Sequence, residues 1–271
     1  MSDRRLTPAN GRVAAAHLRG QVAAERYVAG EAAEVTAPVV DLLAAPEGAR
    51  DRQCLLGEAV TVYERRGGWA FVQAAKDGYT GYVGEAALGP PGMPTHRVAA
   101  RATHLYPAPD MKTRERMALS HGARLEVTGE AGRFAETPLG FVPRVHLAPL
   151  EVPEADPVAV AERLLGAPYL WGGNSAFGID CSGLVQAALT ACAVACPGDT
   201  DMQESLGAPA AGPPRRGDLL FWSGHVALVR DGETLIHANA HHMAVTVEEI
   251  AAVTARIAAA GEGPVTAHRR P

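Results

Sequence analysis

A cysteine lies between two polar residues in Asp180-Cys181-Ser182, directly after the glycine-rich segment YLWGGNSAFGI. An apolar-periodic stretch follows, which predicts a helix over residues 182–195 with Cys181 at its first turn and Asp180 as N-cap. The helix dipole and the unpaired backbone N–H groups at such a position favour thiolate over thiol, and the thiolate is the nucleophilic form. The same N–H groups can stabilise an oxyanion. The pattern therefore indicates a catalytic cysteine.

Two histidines follow in segments that are typical of strands. His225 begins HVALV directly after a Ser-Gly turn, and His237 lies in the next strand-like segment, LIHANA. In a hairpin of these two strands, both imidazoles can face Cys181. A thiol nucleophile needs an imidazole base and a third group that orients that base. We therefore predict that His225 is the base and that His237 orients it.

A zinc site is the main alternative reading of the same residues. Cys181, His225, His237 and the pair His241-His242 offer sulfur and nitrogen ligands. However, these residues lack the close CxxC or HExxH spacing that zinc sites usually show. The sequence therefore predicts no metal and no other cofactor. The remaining cysteines are interpreted as unreactive because they lie in a strand-like segment and an alanine-rich helix: Cys54, Cys192 and Cys196.

Composition narrows the choice of partner and compartment. The chain has 271 residues, of which 47% are hydrophobic and 20% charged, and its net charge is −5. A negative net charge disfavours nucleic acid and anionic membranes as partners. The sequence contains neither an apolar run of about 20 residues nor a signal-like apolar core near its start. Because the cysteines also show no disulfide framework, we expect a cytoplasmic protein.

The pattern of residues divides the chain into four segments. An apolar, alanine-rich stretch over 13–28 predicts an N-terminal helical segment, residues 1–30. Short alternating segments separated by Gly, Pro and Asp turns predict β structure from 31 to 150, and its two halves repeat one pattern. We therefore predict two small β-barrels, 31–90 and 95–150, joined by GPPGMP. Helices followed by antiparallel strands predict an α+β domain over 155–271.

The motif series resembles a known family. YLWGG, DCSGL, GDLLFW, HVALV and LIHANA occur in the order typical of the NlpC-type cell-wall cysteine peptidases, which have a papain-like catalytic domain. The repeated β region resembles the bacterial SH3-like domains that precede this catalytic domain, and the whole layout resembles γ-D-glutamyl-L-diamino acid endopeptidases. This resemblance implies hydrolysis of the γ-D-glutamyl-L-diamino acid bond in murein peptides with a free N-terminal L-Ala, in cell-wall peptide recycling.

The resemblance also implies roles for individual residues. Cys181, His225 and His237 match the catalytic positions. The positions that match substrate contacts in the catalytic domain are Tyr169, Trp171, Asp180, Ser182, Asp199 and Thr200. In the first SH3-like domain, Tyr79 and Asp51 match a tyrosine and an acid that bind the substrate amine, with Glu47 as the alternative acid.

Two other functions remain open at this level. The same catalytic residues would serve a papain-like amidase or acyltransferase with a non-murein substrate. A pure binding protein with an inactive third domain is disfavoured, because binding alone does not require a Cys, His, His set. The predicted partners are murein-derived peptides, with neither nucleic acid nor membrane, and the sequence predicts no oligomeric state.

Overall fold

The computed structural model describes residues 3–271, and the chain forms two compact units. The first unit ends at Leu150, and the second is Glu151–Pro271. None of the described helices is long and apolar enough to span a lipid bilayer. The second unit combines helices with an antiparallel sheet, so the predicted mixture of helix and strand is confirmed.

The predicted N-terminal helix over 13–28 is wrong. This stretch forms strand β1 (Val13–Ala15), a 3-10 turn (Ala16–Leu18) and strand β2 (Arg26–Val28), which pairs in parallel with β1. All three residues of β1 are buried, so packing rather than alanine's helix propensity decides the local structure. Gly20 has a φ of +81°, a left-handed conformation that ends any continuous helix here.

A seven-stranded antiparallel sheet forms the first β region. Its strands, in order of position in the sheet, are β5 (Arg50–Leu55), β4 (Val39–Leu43), β8 (Thr80–Gly84), β7 (Trp69–Ala74), β6 (Ala59–Arg66), β3 (Glu31–Val35) and β9 (Leu88–Gly89). A 3-10 turn, Glu85–Ala87, precedes the last of them. Alternate residues such as Val60 and Val62 point into the core of this region, as the period-two pattern predicts.

The second β region consists of three smaller sheets. Its strands are β10 (His96–Val98), β11 (Ala102–Leu105), β12 (Met117–Ser120), β13 (Arg124–Leu125), β14 (Gly129–Ala131), β15 (Phe134–Thr137), β16 (Gly140–Pro143) and β17 (Leu147–Pro149). The 3-10 turn Arg144–His146 precedes β17. Leu56 from the first region joins its core beside Leu105, Leu119 and Val142. The two regions therefore share a core.

The prediction of two closed barrels is not confirmed. Among the described residues no sheet closes on itself, since the large sheet ends at β5 on one side and β9 on the other. In the second region the strands have at most four residues. Each ladder in this region joins only two to four residue pairs, and the strands form one two-stranded and two three-stranded sheets rather than one continuous sheet.

In the second unit, a six-stranded antiparallel sheet carries the helices. The strands, in order of position, are β20 (Ala208–Pro209), β25 (Ala267–Arg270), β21 (Leu219–Trp222), β22 (His225–Val229), β23 (Thr234–Asn239) and β24 (Ala244–Glu249). A small hairpin of β18 (Asn174–Ser175) and β19 (Gly178–Ile179) precedes α2. The helices are α1 (Pro157–Arg163), α2 (Cys181–Ala191), α3 (Thr200–Gln203) and α4 (Ile250–Ala259).

The two faces of this sheet bury different helices. Val226 and Leu228 of β22 pack in one core with the apolar residues of α1 and α2. The intervening residues Ala227 and Val229 face the other way, in a second core with α4. Period-two alternation along β22 thus places α2 and α4 on opposite faces of the sheet.

Strand β25 lies inside the sheet, between β20 and β21. The buried Asp218 carboxylate fixes it there by accepting hydrogen bonds from His268 Nε2 at 2.7 Å and from Arg270 Nε at 2.7 Å. Burial alone would raise the pKa of Asp218, but the bonds from Arg270 and His268 outweigh it and lower the pKa to about 2.

Candidate active site

Cys181 is the first residue of α2, and Asp180 is its N-cap, as the sequence predicts. Asp180 Oδ1 accepts hydrogen bonds from the backbone N–H of Gly183 at 2.6 Å and from Ser182 Oγ at 3.1 Å. Its other oxygen accepts from the N–H of Gly172 at 2.9 Å. Position 183, in the first turn of α2, packs closely on the glycine-rich loop, because a Cβ there would meet the carbonyl oxygen of Gly173. Only glycine fits at this position. The loop and the cap thus fix the position of the Cys181 backbone.

The Cys181 side chain is 8% exposed, and burial, followed by the charge of Asp180, raises the pKa of its thiol to about 11. Contacts with Thr200 Oγ1, 3.7 Å from Sγ, and with the backbone N–H groups of Val226 and Ser182 lower the pKa but do not compensate. The N–H groups at the helix start thus favour the thiolate, as the sequence predicts, but burial has the larger effect on the pKa of Cys181. Desolvation outweighs the helix dipole, so Cys181 is a thiol that must give its proton to a base.

The two histidines are in direct contact. His225 Nε2 lies 2.8 Å from His237 Nδ1, and His237 Nε2 lies 2.8 Å from Glu248 Oε2. Burial first, and then the charge of His237, lowers the pKa of His225 to about 3. Burial also lowers the pKa of His237, whereas the hydrogen bond that His237 donates to Glu248 raises it. Both imidazoles are therefore neutral at pH 7, which is the state a general base requires.

Strand register places these three side chains on one face of the sheet. His237 of β23 is directly opposite Thr246 of β24, so Glu248 is its diagonal neighbour on the same face. Between β22 and β23, Leu228 pairs with Ile236, so the odd-numbered residues of both strands share the α4 face. His225 and His237 belong to that set. The side chains thus run across three neighbouring strands.

A cavity of about 340 Å³ opens beside Cys181. Its wall includes both histidines, Tyr169 and, from the C-terminal end of α4 and the segment beyond, Arg256 and Glu262. Burial, followed by the charges of Cys181 and Asp180, raises the pKa of Tyr169 to about 12, so its hydroxyl is a neutral donor. The Cys181 thiol and the neutral imidazoles of His225 and His237 thus line one cavity, which is large enough for a peptide-sized group.

Comparison with protein families identifies this site. A family model described as the NlpC/P60 family matches residues 166–259. Residues 166–259 are an NlpC/P60 domain. The match contains Cys181, His225 and His237, so the protein is a cysteine peptidase. A second model, described as the bacterial dipeptidyl-peptidase Sh3 domain, matches residues 42–88.

Two relatives and a solved structure match most of the chain. The chain is 25% identical over 223 residues to gamma-D-glutamyl-L-lysine dipeptidyl-peptidase of Bacillus cereus, covering 69% of this chain and 67% of that one. It is 29% identical over 217 residues to the Bacillus subtilis protein of the same name, covering 69% and 71%. The crystal structure of an NlpC/P60 family protein from Bacillus cereus superposes with a TM-score of 0.74 at 21% identity, covering 89% and 99%. The shared fold therefore extends beyond the NlpC/P60 domain.

Within the NlpC/P60 domain, the residues expected to bind substrate differ in their surroundings. Tyr169 lies in the cavity wall, and Thr200 contacts Cys181. Asp199 precedes α3 and is half-buried, whereas Ser182 is buried in α2. Trp171 is 72% exposed and lies outside the cavity wall around Cys181. Buried Gln203 holds α3 to α2 through a bond from its Nε2 to the Ser182 carbonyl oxygen at 2.9 Å.

The two expected substrate residues of the SH3-like region have other partners within the first unit. Asp51 accepts two hydrogen bonds from the Arg4 guanidinium, at 2.7 and 3.0 Å. The Tyr79 side chain is 3% exposed and belongs to the apolar core around Val72. Their role in binding a substrate amine stays a prediction.

Glu248 and Arg256 of the NlpC/P60 domain have no predicted role, and the sequence indicates His242 only as a possible zinc ligand. Arg256 Nη2 donates to Glu248 Oε2 at 2.8 Å, and His242 Nε2 lies 3.2 Å from Glu248 Oε1. The alternation in AVTVEE is typical of a strand and is the signal available for Glu248. Among residues 3–271, no group of three or more His, Cys, Asp or Glu side chains is arranged to hold a metal ion.

Proposed function

We propose that the protein hydrolyses the bond between γ-D-Glu and an L-diamino acid in murein-derived peptides with a free N-terminal L-Ala. The observation that carries this proposal is the neutral His225–His237 pair in the cavity that contains Cys181. The names of the two Bacillus relatives support the choice of bond, since both include γ-D-glutamyl-L-lysine and dipeptidyl-peptidase.

The reaction follows from the protonation states. His225 takes the thiol proton of Cys181 as Sγ attacks the carbonyl carbon of γ-D-Glu. The negative charge that develops on the carbonyl oxygen is stabilised at the start of α2, where the Cys181 N–H is available in the first turn. The His225 imidazolium then returns its proton to the leaving amine of the diamino acid. Water, with His225 again as base, hydrolyses the thioester and restores the thiol.

On the acyl side of the bond, negative charges favour the free amine of L-Ala. A desolvated ammonium group needs carboxylate partners, because an unpaired buried charge costs several kcal/mol. Asp199 is the nearest candidate in sequence to Thr200, whose hydroxyl contacts Cys181. Asp180 caps α2, and its charge acts on Cys181 as well.

On the leaving-group side, Glu262 suits a diamino acid. Its exposed side chain lies in the cavity wall, and no side-chain hydrogen bond or ion pair engages it within residues 3–271. A diamino acid carries a second ammonium group, which complements this carboxylate. The proposal extends to processing of recycled peptides in the cytoplasm, a compartment that suits four free cysteines.

Incubation with L-Ala-γ-D-Glu-L-Lys and with its N-acetylated form, followed by mass spectrometry, tests the proposal. We expect L-Ala-γ-D-Glu to be released from the free peptide alone. The Cys181→Ala protein provides the matched control and should release nothing. Equal cleavage of both peptides would remove the amine-binding part of the proposal. Cleavage of neither peptide, with Cys181 still alkylated by iodoacetamide, would favour an amidase or acyltransferase with a different substrate.

A further inference from the structure

Glu248 lies behind the catalytic histidines rather than in the cavity. It is on β24, its side chain is 14% exposed, and it is absent from the cavity wall. Three cationic or protonatable groups surround its carboxylate, namely His237, His242 and Arg256. A carboxylate held this way has a fixed position and a fixed charge.

The charge of Glu248 is secure at neutral pH. The hydrogen bond from Arg256 is the largest influence, burial opposes it, and the bonds from His237 and His242 add to it, so the pKa of Glu248 lies far below its ordinary value. An ionised carboxylate can only accept hydrogen bonds. His237 must therefore carry a proton on Nε2, the atom 2.8 Å from Glu248 Oε2.

The position of the proton on His237 also determines the position of the proton on His225. A neutral His237 with its proton on Nε2 has a lone pair on Nδ1, so Nδ1 can only accept from His225 Nε2 at 2.8 Å. His225 then carries its proton on Nε2 and has its lone pair on Nδ1. The opposite tautomers would place the His237 Nε2 lone pair against the Glu248 carboxylate and a proton on His225 Nδ1. In that state His225 Nδ1 cannot accept the thiol proton.

We propose that Glu248 is a positioning residue for the peptidase reaction, which fixes the tautomer of His237 and thereby leaves the Nδ1 atom of His225 as the base for Cys181. It also stabilises the proton that His225 gains when the thiol is deprotonated, through the His237 ring between them. Arg256 of α4 holds the Glu248 carboxylate in place. His242, on the loop between β23 and β24, contacts Oε1 of this carboxylate, whereas His237 contacts Oε2.

Glu248→Gln tests this role because it removes the charge and can donate from its amide to His237. The matched control is Glu249→Gln, an exposed neighbour whose side chain does not cap α4. General-base catalysis contributes about 10²- to 10⁴-fold, so we expect Glu248→Gln to lower kcat about 100-fold with KM unchanged. Glu249→Gln should retain wild-type values. Thermal unfolding of each variant checks that the fold persists.

The rate of Cys181 alkylation by iodoacetamide separates this inference from the substrate proposal. It rests on the cysteine peptidase chemistry but not on which peptide is cleaved, so it can be measured even if the murein peptide is not a substrate. We expect Glu248→Gln to slow alkylation of Cys181 near pH 7 by at least tenfold. Alkylation and turnover within twofold of wild type, or an equal loss in Glu249→Gln, would overturn the role of Glu248.

A measurement on the wild-type protein avoids any variant that fails to fold. ¹⁵N NMR of the histidine-labelled full chain reports which ring nitrogen carries the proton in each imidazole. We expect His225 and His237 both to be neutral at pH 7, with the proton on Nε2 in each ring. A proton on Nδ1 of either ring would overturn the proposal.

Discussion

Of two buried thiols in this molecule, one is catalytic and the other is structural. Cys54 lies on β5 in the core of the first unit, and Cys181 begins α2 in the second, and each is less than a tenth exposed. Burial raises both pKa values, and nearby carboxylates, Glu58 and Asp180 respectively, raise them further. Burial and charge therefore do not distinguish a catalytic cysteine from a structural one.

The difference is what the thiol can reach. The other groups that influence the pKa of Cys54 are carboxylates and cations, including the Glu58–Lys76 ion pair at 2.8 Å. Cys181 instead shares a cavity with His225, whose ring is backed by His237. A thiol can become a nucleophile here because a neutral base lines the same cavity and can take its proton as the bond forms.

The largest expected effect comes from replacing Cys181 and Cys54 with alanine in two separate variants. Cys181→Ala removes the nucleophile and should lower kcat/KM by more than about 10⁴-fold, beyond what a general base alone contributes. Cys54→Ala should leave kcat/KM unchanged and lower the free energy of unfolding by about 1 kcal/mol, since it removes one buried atom from the core. Peptide turnover and urea unfolding measure both. Substantial activity in Cys181→Ala would contradict the assignment.

The second effect concerns the histidine behind the base. His237→Ala removes the group that orients His225, and we expect kcat to fall about 100-fold, within the range of general-base contributions. Alkylation of Cys181 should slow towards the rate of Cys54. His104→Ala, an exposed histidine of the first unit, is the control. If His237→Ala alkylates at the wild-type rate, His225 does not depend on His237.

Acid should destabilise the region of Cys181 before that of Cys54. The pKa of His225 is lowered from 6.5 to about 3 in the folded protein. Below about pH 6.5 the unfolded chain therefore binds a proton on this residue, whereas the folded protein binds it only near pH 3. Stability is thus lost as pH falls from 6.5 towards 3. Hydrogen exchange, corrected for intrinsic rates, should show β22–β24 opening at pH 4.5 while β5 stays protected. Equal protection of both regions at pH 4.5 would contradict the lowered pKa.

The smallest expected effect is on specificity. Glu262→Gln should raise KM about two- to fivefold for a peptide with L-Lys after γ-D-Glu, because exposed ion pairs contribute at most about 1 kcal/mol. The same variant should not change KM for a peptide with norleucine in that position. Steady-state kinetics on the two peptides decide the matter, and an equal change for both would remove Glu262 from recognition of the diamino acid.

The sequence was most informative where local structure places a side chain. Asp180 and Cys181 follow from a loop, a cap and a helix within about a dozen residues, and the structure confirms the cap and the helix start. The contact between His225 and His237 was also predictable, because both lie on consecutive strands of one hairpin. In such segments, short-range rules of capping and alternation suffice.

The sequence was least informative where the position of a side chain depends on segments that are far apart in the sequence. The role of Glu248 depends on such segments, because residues Ala244–Glu249 form β24 and the helix that carries Arg256 begins at Ile250. The diagonal position of Glu248 relative to His237 depends on the register of two strands, which composition does not reveal. The pKa of Cys181 could not be predicted for a similar reason, because desolvation by the folded chain exceeds the local effect of a helix start.

The position of β25 has a consequence for biosynthesis. Residues 267–270 come after all the other strands in the sequence, yet they fill a gap beside β21 within the sheet. A nascent chain that has emerged only as far as β24 can form the hairpins that carry His225, His237 and Glu248, but the Asp218 carboxylate still lacks His268 and Arg270. Folding of this unit is therefore completed only after translation has passed residue 270, and a ribosome stalled earlier holds an incompletely folded, protease-sensitive peptidase.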